Sequence, residues 1–317
     1  MIISILLLIL GFILLIKGAD IFVDGASSTA QNFKVPKMLI GLTIVAFGTS
    51  APEFAVSMSA IANHSTDMVL GNVIGSCILN VLLIIGIAAV IKPIKIQDNT
   101  VKKEIPLILL ISTLLVVVML DNKLGNGLIN QISRSDGIVI ILFFTIFVYY
   151  LVSLARRKKG ESEDLTPPLP LWKSLVFVGL GLVGIIYGSD LVVDNAKTIA
   201  KTIGLSERVI SLSIIALGTS LPELVTTIVS SKKGEQDLLL GNIIGSNIFN
   251  ICVVLGVPVA IYGTITPSSF GAVDLIGLIV SALLLFLFSL SKKTINRLEG
   301  ALLLFMFVVY YVLVFVI

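Results

Sequence analysis

Long apolar stretches alternate along the chain with short polar breaks that often contain glycine or proline. A helix needs roughly 20 mainly apolar residues to cross a bilayer. Ten stretches approach that length, and they lie near Ile2–Phe22, Lys37–Ala62, Met68–Ile91, Ile105–Leu120, Asp136–Ala155, Leu171–Val192, Glu207–Ser231, Leu238–Tyr262, Phe270–Leu290 and Leu298–Ile317. The pattern predicts an all-α membrane protein with ten transmembrane helices.

Composition supports lipid as the main solvent of this chain. Hydrophobic residues fill 56% of the 317 positions, charged residues fill only 13%, and the mean hydropathy is +1.09. A water-soluble domain of this size could not bury so much apolar surface in one core. The longest polar segment, residues 156–170, has a basic run and three prolines, so we expect it to be a linker between residues 1–155 and 171–317.

The distribution of lysine and arginine predicts how the chain is oriented in the membrane. If the 156–170 linker is cytoplasmic, ten crossings place eleven further basic residues on its side and five on the opposite side. Cytoplasmic loops carry this excess of positive charge, so we expect both termini outside. The net charge of +3 follows from the same bias, which argues against nucleic-acid binding.

Two motifs occur twice, 170 positions apart. The segment GTSAPE at Gly48–Glu53 recurs as GTSLPE at Gly218–Glu223, and GNVIGSCILN at Gly71–Asn80 recurs as GNIIGSNIFN at Gly241–Asn250. Each half contains five predicted spans, and because five is odd, the second half enters the membrane from the side opposite to the first. The sequence therefore predicts two inverted-topology repeats, an architecture that places sites at the midplane between halves.

An acidic residue lies in the middle of an apolar span in each copy, at Glu53 and at Glu223. A carboxylate at that depth is costly unless it is paired or binds a cation. A structural ion pair is the alternative, but the motif spans contain no basic residue near either glutamate. We therefore predict that the two carboxylates converge on a shared cation.

A proline beside each glutamate frees backbone carbonyl oxygens that could bind a cation. Pro52 and Pro222 have no amide hydrogen, so the carbonyls of Gly48 and Gly218 lose their helical partners, and the helix is expected to break there. The candidate ligands are the backbone carbonyls near Ala46, Thr49, Ala216 and Thr219 and the hydroxyls of Thr49, Ser50, Thr219 and Ser220.

The second motif adds neutral oxygens. Ser76 and Asn80 are four residues apart and share one helix face, as do Ser246 and Asn250. Hydrogen bonding between helices is the alternative role for these side chains, but their duplication beside the acidic motif favours cation ligands. Small-xxx-small spacing that permits close helix approach is formed by Gly71, Gly75, Gly241 and Gly245.

The predicted ligand set consists of carboxylate, amide, hydroxyl and carbonyl oxygens, which suit calcium or sodium. Soft metals are disfavoured, because the single histidine, His64, is predicted in a loop and Cys77 and Cys252 lack a metal-ligand spacing. We expect both cysteines to serve packing. Four aspartates near the ends of the first and sixth spans are expected to anchor those ends at the interface: Asp20, Asp24, Asp190 and Asp194.

The paired motifs resemble the two alpha repeats of the calcium/cation antiporter superfamily, specifically the prokaryotic sodium/calcium exchangers. The likeness covers essentially the whole chain in order, length and span count. It implies a ten-helix exchanger with both termini outside, in which two long tilted helices slide against an eight-helix core during alternating access.

The resemblance also implies roles for individual residues. The calcium site corresponds to Glu53 and Glu223 with the backbone oxygens of Thr49 and Thr219. The flanking sodium positions and the central amides correspond to Ala46, Ser76, Ala216, Ser246, Asn80 and Asn250. Several relatives have an aspartate at the position of Asn250, and its absence here argues against potassium cotransport.

We therefore expect a non-enzymatic secondary antiporter of the cell membrane that exchanges sodium for calcium, uses no cofactor and functions as a monomer in lipid. A calcium/proton antiporter is the nearest alternative, because the same carboxylates could exchange protons. An intramembrane aspartyl protease built on Asp20 and Asp190 would leave the glutamates unexplained. A passive channel is a further alternative, because selectivity filters also use carbonyls and acidic side chains.

Overall fold

A computed structural model describes residues 2–63, 65–124, 131–157, 168–203, 216–266 and 271–316. The α-helices are α1 Ile2–Asn32, α2 Lys37–Ile40, α3 Ala46–Thr49, α4 Ala51–Ala62, α5 Thr66–Leu79, α6 Gly86–Ile91, α7 Ile105–Leu124, α8 Arg134–Arg157, α9 Leu171–Thr202, α10 Ala216–Gly218, α11 Leu221–Lys233, α12 Gln236–Phe249, α13 Gly256–Tyr262, α14 Ala272–Leu290 and α15 Arg297–Val316. The π-helical segments are π1 Gly41–Val45, π2 Asn80–Ile85, π3 Thr100–Glu104 and π4 Asn250–Leu255, and the strands are β1 Ile94–Lys95 and β2 Thr294–Ile295.

Within these ranges, eight continuous helices are long and apolar enough to cross a membrane. A ninth crossing is the bent pair Lys37–Thr49 and Ala51–Ala62, whose two parts meet at 46°. The predicted span Glu207–Ser231 begins outside the described residues, and its second part is α11. The two short strands do not change the all-α class.

Helices α1 and α9 are longer than the sequence pattern predicted. The predicted ends at Phe22 and Val192 are wrong, since the helices continue to Asn32 and Thr202. Aspartates end the apolar pattern early, but a helix can continue past the membrane once its polar groups reach water. At 31 and 32 residues these helices are about 46–48 Å long, which exceeds the roughly 30 Å hydrocarbon layer.

The chain forms two compact units, and the first comprises Met1–Pro52 with Leu154–Asn242. Here α1 packs against α9 through glycines spaced seven residues apart at Gly11, Gly18 and Gly25, which lie on one stripe of the helix. A Cβ added to Gly18 would lie 2.8 Å from the backbone of Gly184. The two backbones therefore touch directly, beside a buried core of Leu15, Ala19, Phe22, Val23, Ala26 and Ile185.

The second unit comprises Glu53–Ser153 with Ile243–Ile317. The π-helical segments π2 and π4 lie here, and they begin at Asn80 and Asn250, the last residue of each copy of the second motif. A π-helical turn shifts the side chains that follow it and is frequent at functional sites. The internal repeat thus extends from sequence to an unusual local backbone geometry.

Contacts within the second unit join loops that ten crossings place on the same membrane face. Strands β1 and β2 pair antiparallel with Ile94 opposite Ile295, and both strands were predicted on the side of the basic linker. On the other predicted side, Ile132 forms a bridge with Ile265. These pairings agree with the predicted order of crossings.

Ion pairs hold the ends of several helices. Lys233 at the end of α11 lies 2.8 Å from a carboxylate oxygen of Asp20 and 2.6 Å from one of Asp24. This arrangement agrees with interfacial anchoring of these aspartates. In the other unit Lys293 lies 2.6 Å from Asp98, and this hydrogen bond lowers the pKa of the exposed Asp98 carboxyl below its ordinary value.

Candidate cation-binding site

The helix breaks at corresponding positions of the two repeats. Between α3 and α4 the chain turns at Ser50, with φ −87° and ψ 7°. Before α11 it turns at Thr219 and Ser220, and Ser220 has φ −88° and ψ 4°. The proline that follows each serine by two residues lies in the first turn of the next helix, where no intrahelical amide hydrogen is needed. The predicted breaks are confirmed.

The two carbonyls that lose their helical partners because of the prolines, those of Gly48 and Gly218, have different neighbours in the two repeats. In the second repeat, the Ser189 hydroxyl donates a hydrogen bond of 3.1 Å to the Gly218 carbonyl. The equivalent of Ser189 in the first repeat is Ala19, which has no donor to offer Gly48. The prediction of a freed carbonyl thus needs a correction at Gly218, whose oxygen already accepts a hydrogen bond from a side chain.

Both glutamates lie in the first turn of the helix that follows the break, Glu53 in α4 and Glu223 in α11, and both are fully buried. The positive end of a helix favours a negative charge at this position. The Ser50 hydroxyl donates a 2.9 Å hydrogen bond to Oε1 of Glu223. A residue of the first break therefore touches the carboxylate of the second repeat.

A second contact joins the first break to the second motif of the other repeat. The Thr49 hydroxyl lies 3.0 Å from Oδ1 of Asn242, and it also lies 3.1 Å from the Val45 carbonyl in its own helix. The Ala46 carbonyl is a third acceptor at 3.4 Å, and these acceptors compete for the single hydrogen that a hydroxyl can donate. Its lone pairs remain available to a cation.

The other predicted ligands of the first motif differ in exposure. The Ala46 carbonyl accepts a hydrogen bond of 3.0 Å from the Ser50 amide and lies 3.4 Å from the Thr49 hydroxyl. Thr219 is half-buried in the turn, whereas Ser220 is buried. Ala216 begins α10, and the structure describes only its backbone.

The four predicted polar side chains of the second motif, Ser76, Asn80, Ser246 and Asn250, are all buried. Among the described residues, no hydrogen-bond partner exists for the Ser246 hydroxyl, for Oδ1 of Asn80 or for either end of the Asn250 amide. Buried polar atoms are nearly always satisfied by protein, water or an ion. These oxygens are therefore available to a ligand.

The sequence reasoning missed two asparagines that bind the motifs together. In one unit, the Asn72 amide donates 2.9 Å hydrogen bonds to the Glu53 carbonyl and to the Ser57 hydroxyl. In the other unit, the equivalent Asn242 donates one of 3.3 Å to Thr227, which is the repeat partner of Ser57. Their duplication in the second motif was the signal that could have identified them.

The glycine prediction is confirmed at one position and wrong at another. A Cβ added to Gly241 would lie 2.8 Å from the Gly41 Cα, so two helices touch there. A Cβ added to Gly75 would meet nothing within 4 Å. Spacing alone cannot tell which glycine meets a neighbour, because that depends on which face the fold covers.

Exposure differs between repeat-equivalent positions of the second motif. Gly71 is exposed and Asn72 is half-buried, whereas the equivalent Gly241 and Asn242 are both buried. The two copies have nearly the same sequence here, so the difference arises from the surroundings of each copy and not from its residues.

Cysteine, histidine and the remaining aspartates provide no further candidate metal ligands among the described residues. Cys77 and Cys252 are buried free thiols, as expected for packing, and His64 lies outside the described residues. No group of three or more His, Cys, Asp or Glu side chains in the described part of the chain could hold a metal ion. Asp190 is exposed and Asp194 lies 3.5 Å from Lys197.

The fold and the buried carboxylates define a multi-pass helical membrane transporter for cations. Residues 3–153 and 173–316 match the family model described as sodium/calcium exchanger protein. The chain belongs to the sodium/calcium exchanger protein family, whose members are cation antiporters and not enzymes.

Individual relatives agree with this assignment. CaxA of Alkalimonas amylolytica, a proposed antiporter, is 40% identical over 99% of both chains. The inner membrane protein YrbG of Escherichia coli is 38% identical over 89% of this chain and 87% of its own. The solved structure of the sodium-calcium exchanger NCX_Mj superimposes with a TM-score of 0.83 at 33% identity over 98% of both chains. This likeness confirms the predicted fold of ten helices in two inverted repeats.

Proposed function

We propose that this protein exchanges sodium for calcium across the cell membrane by alternating access, and that Glu53 and Glu223 bind the transported cation together. The observation that carries the proposal is the hydrogen bond from Ser50 to Glu223, which joins the first break to the second acidic motif. Glu53 follows Ser50 by three residues, which is less than one helical turn. A cation bound at the Ser50–Glu223 contact would then lie within reach of both carboxylates.

Charge balance makes exchange obligatory in this proposal. The two glutamates together hold about two negative charges, and they bind either one calcium ion or two to three sodium ions but not both. Because the ions need the same oxygens, binding of one kind expels the other. Closing the site around bare carboxylates is costlier than closing it around neutralised ones. The empty transporter is therefore hindered from changing conformation, which suppresses uncoupled ion leak.

Neutral oxygens complete the proposed shell. We assign backbone oxygens of Thr49 and Thr219 to the calcium site. Sodium ions use the oxygens of both motifs that lie beside it, and calcium suits the same hard oxygen shell. The full proposed set is Ala46, Thr49, Ser50, Glu53, Ser76, Asn80, Ala216, Thr219, Ser220, Glu223, Ser246 and Asn250.

The inverted repeat supports alternating access. Inverted repeats of this kind alternate access by moving one part of the protein against the other around a fixed site. The close glycine contact holds α1 and α9 together, so we propose that the two helices move as a pair and form the sliding element. Its length lets it span the membrane when tilted.

We propose a monomer with both termini outside and the linker 156–170 in the cytoplasm, between repeats 1–155 and 171–317. The bias of basic residues supports this orientation. The loop pairings in the second unit support the number of crossings, because loops assigned to one face contact each other.

Calcium uptake into proteoliposomes under an imposed sodium gradient tests the function. We expect uptake by the wild type and its loss in E53Q and in E223Q, because each removes half the site charge. E104Q is the matched control, since Glu104 is another buried glutamate, and it accepts a hydrogen bond from Tyr150, which glutamine can also accept.

Three outcomes would contradict the proposal. Normal uptake by both site variants would refute the assignment of the glutamates. Uptake that ignores sodium but follows a pH gradient would establish the calcium/proton alternative. Unitary currents through the reconstituted wild type would establish a channel.

A further inference from the structure

An asparagine side chain can bind a cation with only one end of its amide. The Oδ1 and Nδ2 ends have almost the same size, but the oxygen is an acceptor and the nitrogen carries two donor hydrogens. Turning the amide over would present partial positive charge to a cation. A buried asparagine ligand therefore needs neighbours that hold its amide in one orientation.

Asn247 supplies such a neighbour for Asn80 within the second unit. The Asn80 Nδ2 donates a 2.9 Å hydrogen bond to Oδ1 of Asn247. The Nδ2 of Asn247 in turn lies 3.4 Å from the backbone carbonyl of Cys77. All three residues are buried.

The direction of this relay is fixed by the backbone. The Cys77 carbonyl can only accept, so Asn247 must turn its Nδ2 towards it and its Oδ1 away. Asn80 must then offer its own Nδ2 to that oxygen. The Oδ1 of Asn80 is left as the end without a hydrogen-bond partner among the described residues. We infer that Asn247 is a positioning residue, which holds Asn80 with its oxygen towards the transported cation.

Comparison of the two repeats shows that only one of the two central asparagines, Asn80, has such an orienting neighbour among the described residues. Cys77 is the repeat equivalent of Asn247, and it is the one exchange of an apolar for a polar residue between the two copies of the second motif. Asn250, the equivalent of Asn80, has no hydrogen-bond partner for either amide end in the part of the chain that the structure describes. The two central amides are thus inequivalent: Asn80 is a fixed oxygen ligand, and Asn250 is free to turn.

Calorimetric titration of the purified full-length protein with calcium chloride tests the relay. The informative variant is N247C, which puts at this position the residue that the first repeat already carries there. We expect calcium to bind about tenfold more weakly or worse, the effect of losing one interaction with a charged partner. This inference rests on the proposed function in one respect, that Asn80 is a cation ligand.

Two backgrounds separate positioning from packing. In N80A no amide remains to be oriented, so adding N247C should cause no further loss. In N80D the carboxylate has two equivalent oxygens and needs little orientation, so N247C should cost much less than in the wild type. C252S, a change at another buried residue of the same unit, should leave binding unchanged.

The relay is overturned if N247C binds calcium like the wild type. It is also overturned if N247C weakens calcium binding as much in the N80A and N80D backgrounds as it does in the wild type. Gel filtration and a melting curve without calcium check that each variant is folded, and N247S, which also lacks the amide, replaces N247C if it is not. If the wild type binds calcium but a sodium gradient drives no calcium uptake, the proposed exchange is refuted and the relay is not. A wild type that exchanges the ions while N247C binds normally refutes the relay alone.

Discussion

The contact between Gly41 and Gly241 gives a quantitative test of how the first unit is packed. A Cβ at position 241 would lie 2.8 Å from the Gly41 Cα and 2.8 Å from the Met38 carbonyl oxygen. These atoms belong to the backbone, so no side-chain rotation can relieve the overlap, and carbon atoms prefer about 3.5–4.0 Å. We expect G241A to separate the two helices or strain them.

The matched variant is G75A, which makes the same change in the other copy of the motif. A Cβ there would meet nothing within 4 Å. Replacing glycine by alanine in a helix gains up to about 1 kcal/mol in both variants, and this gain cancels in the comparison. Overpacking costs about 1–3 kcal/mol, so G241A should be less stable than G75A by that amount.

Equilibrium unfolding of the purified variants in detergent measures this difference. G41A should resemble G241A, because its Cβ would lie 2.9 Å from the Gly241 Cα. Gel filtration before unfolding checks that each variant is monodisperse. The packing argument fails if G75A is destabilised as much as G241A, or if both glycines of the contact tolerate alanine.

Two further predictions concern the site. S189A should destabilise the protein by about 1–3 kcal/mol, because the Gly218 carbonyl loses its donor, and the cost should shrink in a P222A background that restores a helical amide. Equal costs in both backgrounds, measured by the same unfolding assay, would contradict this. N250D adds a negative charge to the proposed site and should strengthen calcium binding about tenfold or more in calorimetry. Unchanged affinity would argue that Asn250 lies outside the cation's reach.

The crossings were predictable because each is a local property. Hydrophobic length alone identified the spans, and the break at Ser50 followed from a proline two residues later. The ends of α1 and α9 were predicted ten residues early, because polarity marks where a helix leaves lipid and not where it stops. The part of α1 beyond the predicted end contains Asp24, which forms an ion pair with Lys233. This partner is distant in the sequence, so the local pattern could not reveal it.

The candidate site was only partly predictable. Duplication identified Glu53 and Glu223 as candidates, because an acidic residue within an apolar span is energetically costly and recurs at the same position of both repeats. The same duplication contained Asn72 and Asn242, but nothing in the sequence shows that the first holds the Glu53 carbonyl while the second lies beside Thr49. Which oxygen meets which donor depends on how helices pack.

By itself the sequence determined the membrane environment, the repeat and the buried acidic pair, since hydropathy and duplication are written along one chain. The tertiary structure decided that Ser50 donates to Glu223, that Ser189 donates to the Gly218 carbonyl, and that Asn80 donates to Asn247. Two nearly identical motifs acquire different partners because hydrogen bonds are short and directional, and only the packed helices bring a given donor within reach of a given acceptor.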